Sequence, residues 1–164
     1  MKTAYVVLLL ALTSTTAMAQ ATIVRFEGAI ASQPFASIGG ALAVNDVNTI
    51  PPGGRPWHIR EFKATIKADG SIDAKGEGLV LAGGGAIGTR GGVTQVAATL
   101  FCGAAQFSSP AVPITLAGDF VIKAKLLSPP PTLCTNPILL IRNAPPPAGT
   151  PGAWFAAGIP DSDD

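Results

Sequence analysis

The chain has 164 residues, of which 48% are hydrophobic and 13% are charged. Of its 11 basic residues, Lys2 lies in a predicted leader, and the remaining 10 balance 10 acidic residues, so the charge does not indicate a nucleic-acid partner. A chain of this length is the size of one ordinary domain with one hydrophobic core.

Residues 1–19 predict a secretory signal peptide. Lys2 supplies a positive start, residues 4–12 form an apolar core, and Ala17-Met18-Ala19 is a small-residue cleavage site. We expect a mature chain beginning at Gln20, exported to the periplasm or the cell exterior. The alternative is an uncleaved anchor, but the apolar run is too short to span a bilayer, and no cysteine follows the cleavage site to accept a lipid.

Residues 20–160 are predicted to form the folded domain, and residues 161–164 an acidic tail. Residues 22–30 predict a first strand with Val24, Phe26 and Ile30 on one face. The fold of residues 32–55 is not determined by any clear periodicity. We interpret this segment as a long connection with at most one short strand.

Residues 57–81 carry the clearest alternation of apolar and charged residues and predict a long β-hairpin. A three-residue loop, Ala68-Asp69-Gly70, pairs Ile66 with Ile72 and keeps both strands' apolar residues on one face. Gly70 is then expected to be left-handed. The inward face has to switch near Arg60-Glu61, and a β-bulge is the simplest cause.

The glycine-rich residues 83–92 lack the Gly-Lys-Ser/Thr ending of a phosphate-binding loop, and we interpret them as a loop between strands. Further strands are predicted at 95–102, 114–116, 120–126, 138–141 and 153–158. The first of these is apolar on both faces, which indicates a central strand.

The 19 glycines and 15 prolines leave no window long enough for a convincing helix. The predicted fold is an all-β, single-domain antiparallel β-sandwich, loosely immunoglobulin-like, with an open barrel as the alternative.

Cys102 and Cys134 are the only cysteines, and an exported chain favours one disulfide between them over two buried thiols. Because His58 is the only histidine, no zinc site is expected.

Four segments are similar to a group of small exported bacterial β-rich proteins of uncharacterised function. They are Pro-Gly-Gly-Arg-Pro-Trp at 52–57, Asp-Gly at 69–70, Gly-Leu-Val-Leu at 78–81 and Ala-Thr-Leu-Phe-Cys at 98–102. The resemblance covers roughly residues 51–159, with residues 20–50 outside it. It implies export and a β-rich domain, and it offers no catalytic residue to transfer.

Candidate catalytic groups are few. His58 could activate Ser71, Ser108 or Ser109, but the sequence contains no nucleophile-elbow motif. Asp69 and Asp73 could act as a carboxylate pair, but they flank a turn, where aspartate commonly stabilises the backbone geometry. The terminal cluster Asp161, Asp163 and Asp164 lacks the pattern of a calcium loop, and no metal or cofactor is expected. We therefore predict a non-enzymatic binding or structural module, with a small secreted hydrolase as the alternative.

Two sets of residues are candidate ligand contacts. Trp57 and Trp154 could stack on a sugar ring or a peptide if they are exposed, with core packing as the alternative.

The second set is basic, since residues 20–160 hold 10 basic and 7 acidic residues. Lys63, Lys67, Lys123 and Lys125 would share a face if their strands lie in one sheet, and could hold an anionic surface polymer. The alternative is a face kept charged for solubility. A second exported protein is another possible partner.

Overall fold

The computed structural model describes residues 21–38, 40–145 and 151–161, so the predicted signal peptide and residues 162–164 of the predicted tail lie outside the described part. Within these ranges the chain forms strands and no helix. Accordingly, the described residues include no helix long and apolar enough to cross a membrane.

The strands of the described chain, in order, are β1 (Thr22–Ala31), β2 (Phe35–Ile38), β3 (Ala41–Val44), β4 (Trp57–His58), β5 (Glu61–Lys67), β6 (Ser71–Glu77), β7 (Val80–Leu81), β8 (Gln95–Cys102), β9 (Ala105–Ser108), β10 (Val112–Pro113), β11 (Phe120–Lys125), β12 (Pro137–Asn143) and β13 (Trp154–Pro160).

Nine strands form one curled antiparallel sheet in the order β10-β8-β12-β13-β1-β5-β6-β11, with β9 also pairing with β8. Its two ends approach each other, because the N–H of Leu127, just after β11, donates to the carbonyl of Ser108 in β9 at 2.8 Å. The all-β antiparallel fold predicted from the sequence is confirmed. The curled sheet is compatible with the predicted immunoglobulin-like sandwich but does not establish it.

The inner face of the curled sheet encloses the main core, in which Phe26, Ile66 and Ile122 are fully buried. A second, smaller cluster of Phe101, Leu140 and Trp154 lies against the partly buried Val47 and Ile50. Residues of β8 are therefore buried on both sides, as the sequence predicted for a central strand.

The predicted disulfide is confirmed. Cys102, the last residue of β8, is bonded to Cys134, and their Cα atoms are 4.9 Å apart. The bond ties the long segment between β11 and β12 to the central strand. Disulfides form and persist mainly in oxidising environments, so the bond indicates such an environment.

The central hairpin has the predicted register. Ile66 pairs with Ile72 and Ala64 with Ala74. Gly70 has a φ of 80°, which a glycine adopts without the steric strain of a Cβ. The turn is further fixed by Asp69, whose carboxylate accepts hydrogen bonds from the N–H and the hydroxyl of Ser71, both at 2.9 Å.

Two local predictions about inward faces need correction. Ile30 is exposed rather than inward, because Gly28 has a positive φ and the pairing of β1 with β13 shifts register there. The face does switch at Arg60-Glu61, where both side chains are exposed, but not through a bulge. The pairing of β4 with β7 has the same register as the pairing of β5 with β6, and between these two paired segments two residues on each strand are unpaired.

Two weakly patterned segments also differ from the predictions. Residues 32–55 contain two short strands, β2 and β3, which form a hairpin apart from the large sheet. The strand predicted at 114–116 is instead β10 at Val112–Pro113, and Ile114 follows it as a buried core residue. Residues 83–92 form a loop, as predicted.

Candidate functional site

All five lysines of the described chain lie on the outer face of three neighbouring strands. Alternation in β5, β6 and β11 directs even-numbered residues into the core and odd-numbered residues outward. The register places Lys63 directly opposite Lys75, and Asp73 opposite Lys123. The lysines of this face are Lys63 and Lys67 on β5, Lys75 on β6, and Lys123 and Lys125 on β11.

These strands form an open groove of about 580 Å³, which we call the lysine groove. It is lined by Lys63, Ala64, Thr65, Lys67, Ser71, Ile72, Asp73, Lys75, Lys123 and Ala124. Short side chains at Thr65 and Ser71 leave space between the long lysines. Ala64 and Ile72 direct their side chains into the core, so they contribute backbone to the floor.

Four of the five lysines have an acidic neighbour, and all four of these lysine side chains are exposed. The pairs are Lys63 with Glu27 (3.3 Å), Lys75 with Glu77 (2.6 Å), Lys123 with Asp73 (3.6 Å) and Lys125 with Asp69 (3.3 Å). Lys67 makes no ion pair with a residue that the structure describes. Exposed ion pairs of this kind contribute little to stability, so a charged ligand can displace them.

Two of the acidic neighbours, Asp69 and Glu77, are held in their ionised form by hydrogen bonds. Hydrogen bonds from the N–H and hydroxyl of Ser71 lower the pKa of Asp69 from 3.8 to about 2. Hydrogen bonds from Lys75 and Arg60 lower the pKa of Glu77, and the contact with Glu77 raises the pKa of Lys75. Carboxylates and ammonium groups therefore coexist as charges across this face.

The structure brings the predicted lysines together. Lys63, Lys67 and Lys123 line the groove, and Lys125 lies at its margin, next to the hairpin turn. The condition on which the prediction depended is met, because β11 pairs with β6 in the same sheet.

The condition for the predicted tryptophan contacts, exposure of the two rings, is not met. Trp57 is 5% exposed and Trp154 is 3% exposed, so neither ring offers a surface to a sugar or peptide. Trp57 packs on Phe155 with ring centroids 4.2 Å apart, and the indole N–H of Trp154 donates to the carbonyl of Asn45 at 3.1 Å. Both are core residues, because the chain has enough apolar surface around them to bury large rings.

The serines considered with His58 are occupied by other contacts. Ser71 bonds to Asp69, Ser108 shares a hydrogen bond with Thr99, and the buried hydroxyl of Ser109 donates to the carbonyl of Pro110. His58 is exposed at the far end of the hairpin from Ser71, roughly 30 Å away along the strand.

The carboxylates considered for catalysis are engaged by lysines, Asp73 by Lys123 and Asp69 by Lys125. Among the residues that the structure describes, no group of three or more His, Cys, Asp or Glu could hold a metal ion. Of the terminal aspartates, Asp161 is described, and its N–H donates to the carbonyl of Arg25 at 3.0 Å.

Thr65 was not among the candidates, and Ser71 and Asp73 were considered as catalytic groups and not as ligand contacts, although the alternation of the hairpin was sufficient to place all three on the lysine face. Thr65, Ser71 and Asp73 have the same odd numbering as the lysines and hence the same face. Glu27 reaches Lys63 from β1, which pairs with β5. That contact depends on a long-range pairing for which the sequence carries no local signal.

Comparison of the chain with family models, with curated proteins and with solved structures found no match. The residues and geometry of the lysine groove are therefore the basis for assigning a function.

Proposed function

We propose that the mature protein is an exported, non-enzymatic binding module of the periplasm or cell exterior, and that its lysine groove holds an anionic polymer such as an acidic polysaccharide. The observation that carries this proposal is the placement of five lysines on one face of three adjacent strands around an open groove. Export is supported by the predicted signal peptide and by the disulfide, which is typical of an oxidising compartment.

The charge balance inside the groove favours an anion. Its lining includes four lysines and one acidic residue, Asp73. Lys63 and Lys75 face each other directly across β5 and β6, and like charges in that position destabilise a sheet. A bound carboxylate or sulfate between them would relieve this repulsion.

The shape of the groove favours a polymer over a small molecule. It crosses three strands, which corresponds to about 10 Å, and Lys63 and Lys67 are separated by about 13 Å along β5. Small-molecule sites usually enclose their ligand, whereas this groove is open along its length. Each lysine is a flexible point charge, which suits repeated anionic groups better than the fixed geometry of arginine.

The ion pairs of the groove are compatible with ligand exchange. They are exposed and weak, and a polymer carboxylate can replace the protein carboxylate at a lysine without leaving a buried charge. Lys67 is a ready contact because it has no acidic partner among the described residues. A binding role also fits better than hydrolysis, since Ser71 and Asp69 hydrogen-bond each other in the hairpin turn and His58 lies at the far end of the hairpin.

The test is binding of the mature protein to polygalacturonate, with neutral dextran as the control polymer. We expect retention on polygalacturonate at low ionic strength that falls as salt shortens the screening length from about 30 Å at 0.01 M to about 8 Å at 0.15 M. Replacing Lys63, Lys67, Lys123 and Lys125 together by Gln should weaken binding and flatten its salt dependence.

A matched pair of single variants separates the groove from general charge. Lys67→Gln and Arg55→Gln each remove one exposed cation, but Arg55 precedes β4 and does not line the groove. Weaker binding in Lys67→Gln with unchanged binding in Arg55→Gln supports the proposal. Equal losses in the two variants, or no salt-sensitive retention of the wild type, would overturn it.

A further inference from the structure

The charges of the lysine groove are arranged in three rows that run across the strands. Residues that pair directly on neighbouring strands share a row, and successive outward-facing rows are about 7 Å apart along a strand. In order towards the hairpin turn, the rows are Lys63 with Lys75, then Thr65 with Asp73 and Lys123, then Lys67 with Ser71 and Lys125. Each outer row therefore contains two lysines, whereas the middle row contains one lysine and one carboxylate. Along the strands the charge runs positive, neutral, positive.

The carboxylate of the middle row differs from the other acidic neighbours of the lysines. Among the described residues that line the groove, Asp73 is the acidic one, and it lies on the central strand β6. Glu27, Glu77 and Asp69, which pair with lysines of the outer rows, are outside the lining. A ligand anion that displaces one of these three leaves it at the margin of the groove. An anion that displaces Asp73 from Lys123 leaves the Asp73 carboxylate beside it, because β5 and β11 flank β6 on both sides.

The middle row suits a neutral unit that carries hydroxyl groups. The side chain of Asp73 is 62% exposed, so its oxygens are accessible to a ligand. Hydrogen bonds to an ionised acceptor are roughly twice as strong as those between neutral groups. The hydroxyl of Thr65, directly opposite Asp73, can donate or accept a further hydrogen bond. A sugar hydroxyl therefore finds partners at the middle row, where a ligand carboxylate is repelled by Asp73.

We propose that the lysine groove selects acidic glycans in which charged and neutral sugars alternate, over glycans that carry a carboxylate on every sugar. The charged sugars lie over the two outer rows, which are about 13 Å apart along β5, and the neutral sugar between them lies over Asp73. Asp73 is then the residue that sets the specificity, because it disfavours the wrong ligand by repulsion. This inference rests on the proposed function, since it names the class of anionic polymer that the same groove prefers.

The test compares hyaluronate and galacturonate oligosaccharides with the same number of sugars, by calorimetric titration of the mature protein at one low ionic strength. Hyaluronate carries a carboxylate on alternate sugars, whereas the galacturonate chain carries one on every sugar. A surface that responds to charge alone binds the galacturonate oligosaccharide more tightly. We expect the hyaluronate oligosaccharide to bind more tightly, despite its lower charge.

Two matched variants test the role of Asp73. Asp73→Asn should shift the ratio of the two dissociation constants towards the galacturonate oligosaccharide by up to about fivefold, the size expected for one exposed charge contact. Glu27→Gln also removes an exposed carboxylate next to a lysine, but one that lies outside the groove lining. Each variant frees a lysine, which strengthens binding of both ligands, and the ratio cancels this general effect. The ratio for Glu27→Gln should equal that of the wild type.

The outcomes separate this inference from the proposed function. Tighter binding of hyaluronate by the wild type, with a ratio that shifts in Asp73→Asn and not in Glu27→Gln, supports the inference. Tighter binding of the galacturonate oligosaccharide by the wild type, or one ratio shared by all three proteins, would overturn it and leave the proposed function standing. Absence of binding to both oligosaccharides would overturn the proposed function and this inference together.

Discussion

Replacing Gly70 by alanine tests the turn that orients the central hairpin. Gly70 has a φ of 80°, and a Cβ added there would lie 3.5 Å from the Cα of Pro129, an ordinary van der Waals distance. The substitution therefore introduces left-handed backbone strain of about 1–2 kcal/mol without a clash. Alanine also restricts the unfolded chain, which offsets about 0.4–1 kcal/mol, so the net loss of stability should be about 1 kcal/mol.

For a chain of this size, a loss of about 1 kcal/mol lowers Tm by about 2–5 °C. Thermal and urea unfolding of the mature protein can resolve this difference. Gly85→Ala is the matched control, because a Cβ there meets no atom within 4 Å and Gly85 is not among the positive-φ glycines. Gly70→Asn should lose less than Gly70→Ala, since asparagine tolerates the left-handed region. Equal unfolding midpoints for Gly70→Ala and Gly85→Ala would refute the assignment of strain to Gly70.

Three further predictions concern the disulfide, the turn carboxylate and the buried rings. Removing the bond between Cys102 and Cys134, which are 32 residues apart, should reduce the unfolding free energy by about 3–4 kcal/mol, measured by urea titration of the reduced protein; an unchanged midpoint contradicts this. Because folding lowers the pKa of Asp69 from 3.8 to about 2, its stabilising contribution is present above pH 3.8 and lost as pH falls towards 2. Asp69→Asn should flatten this part of the pH–stability curve, and an identical acid transition would count against the Ser71 contacts. Fluorescence of Trp57 and Trp154 should be blue-shifted and resistant to iodide, whereas strong quenching would show that the rings are accessible.

The hairpin and its outer face were predictable because their signals are local. Alternation from Phe62 to Gly76 determines which side chains point inward, and Gly70 limits the turn to one register. Once that register is known, Lys63, Lys67 and Lys75 can be placed on one face because all three have odd residue numbers. The burial of β8 on both faces was also readable from its composition.

The pairing of distant strands was not predictable. Nothing local to β11 indicates that it lies beside β6, which is the contact that brings Lys123 to Asp73. The bulge at Gly28 that exposes Ile30 arises from the pairing of β1 with β13, so the strand's own alternation gave the wrong face. Exposure of the two tryptophans could not be read from the sequence either, because ring burial depends on the elements packed around it.

Residues 32–55 resisted interpretation for a different reason. The β2–β3 hairpin has apolar residues on both faces, so no contrast between polar and apolar positions marks its strands.

The most direct measurement of the central claim is a nuclear magnetic resonance titration of the isotope-labelled mature protein with a galacturonate oligosaccharide. Binding in the lysine groove predicts saturable shifts of the backbone amides of Thr65, Ser71 and Asp73 that diminish as salt is added. The amides around Trp57 and Trp154 should stay unchanged. Absence of shifts at low ionic strength, or shifts centred away from β5, β6 and β11, would contradict the proposed function.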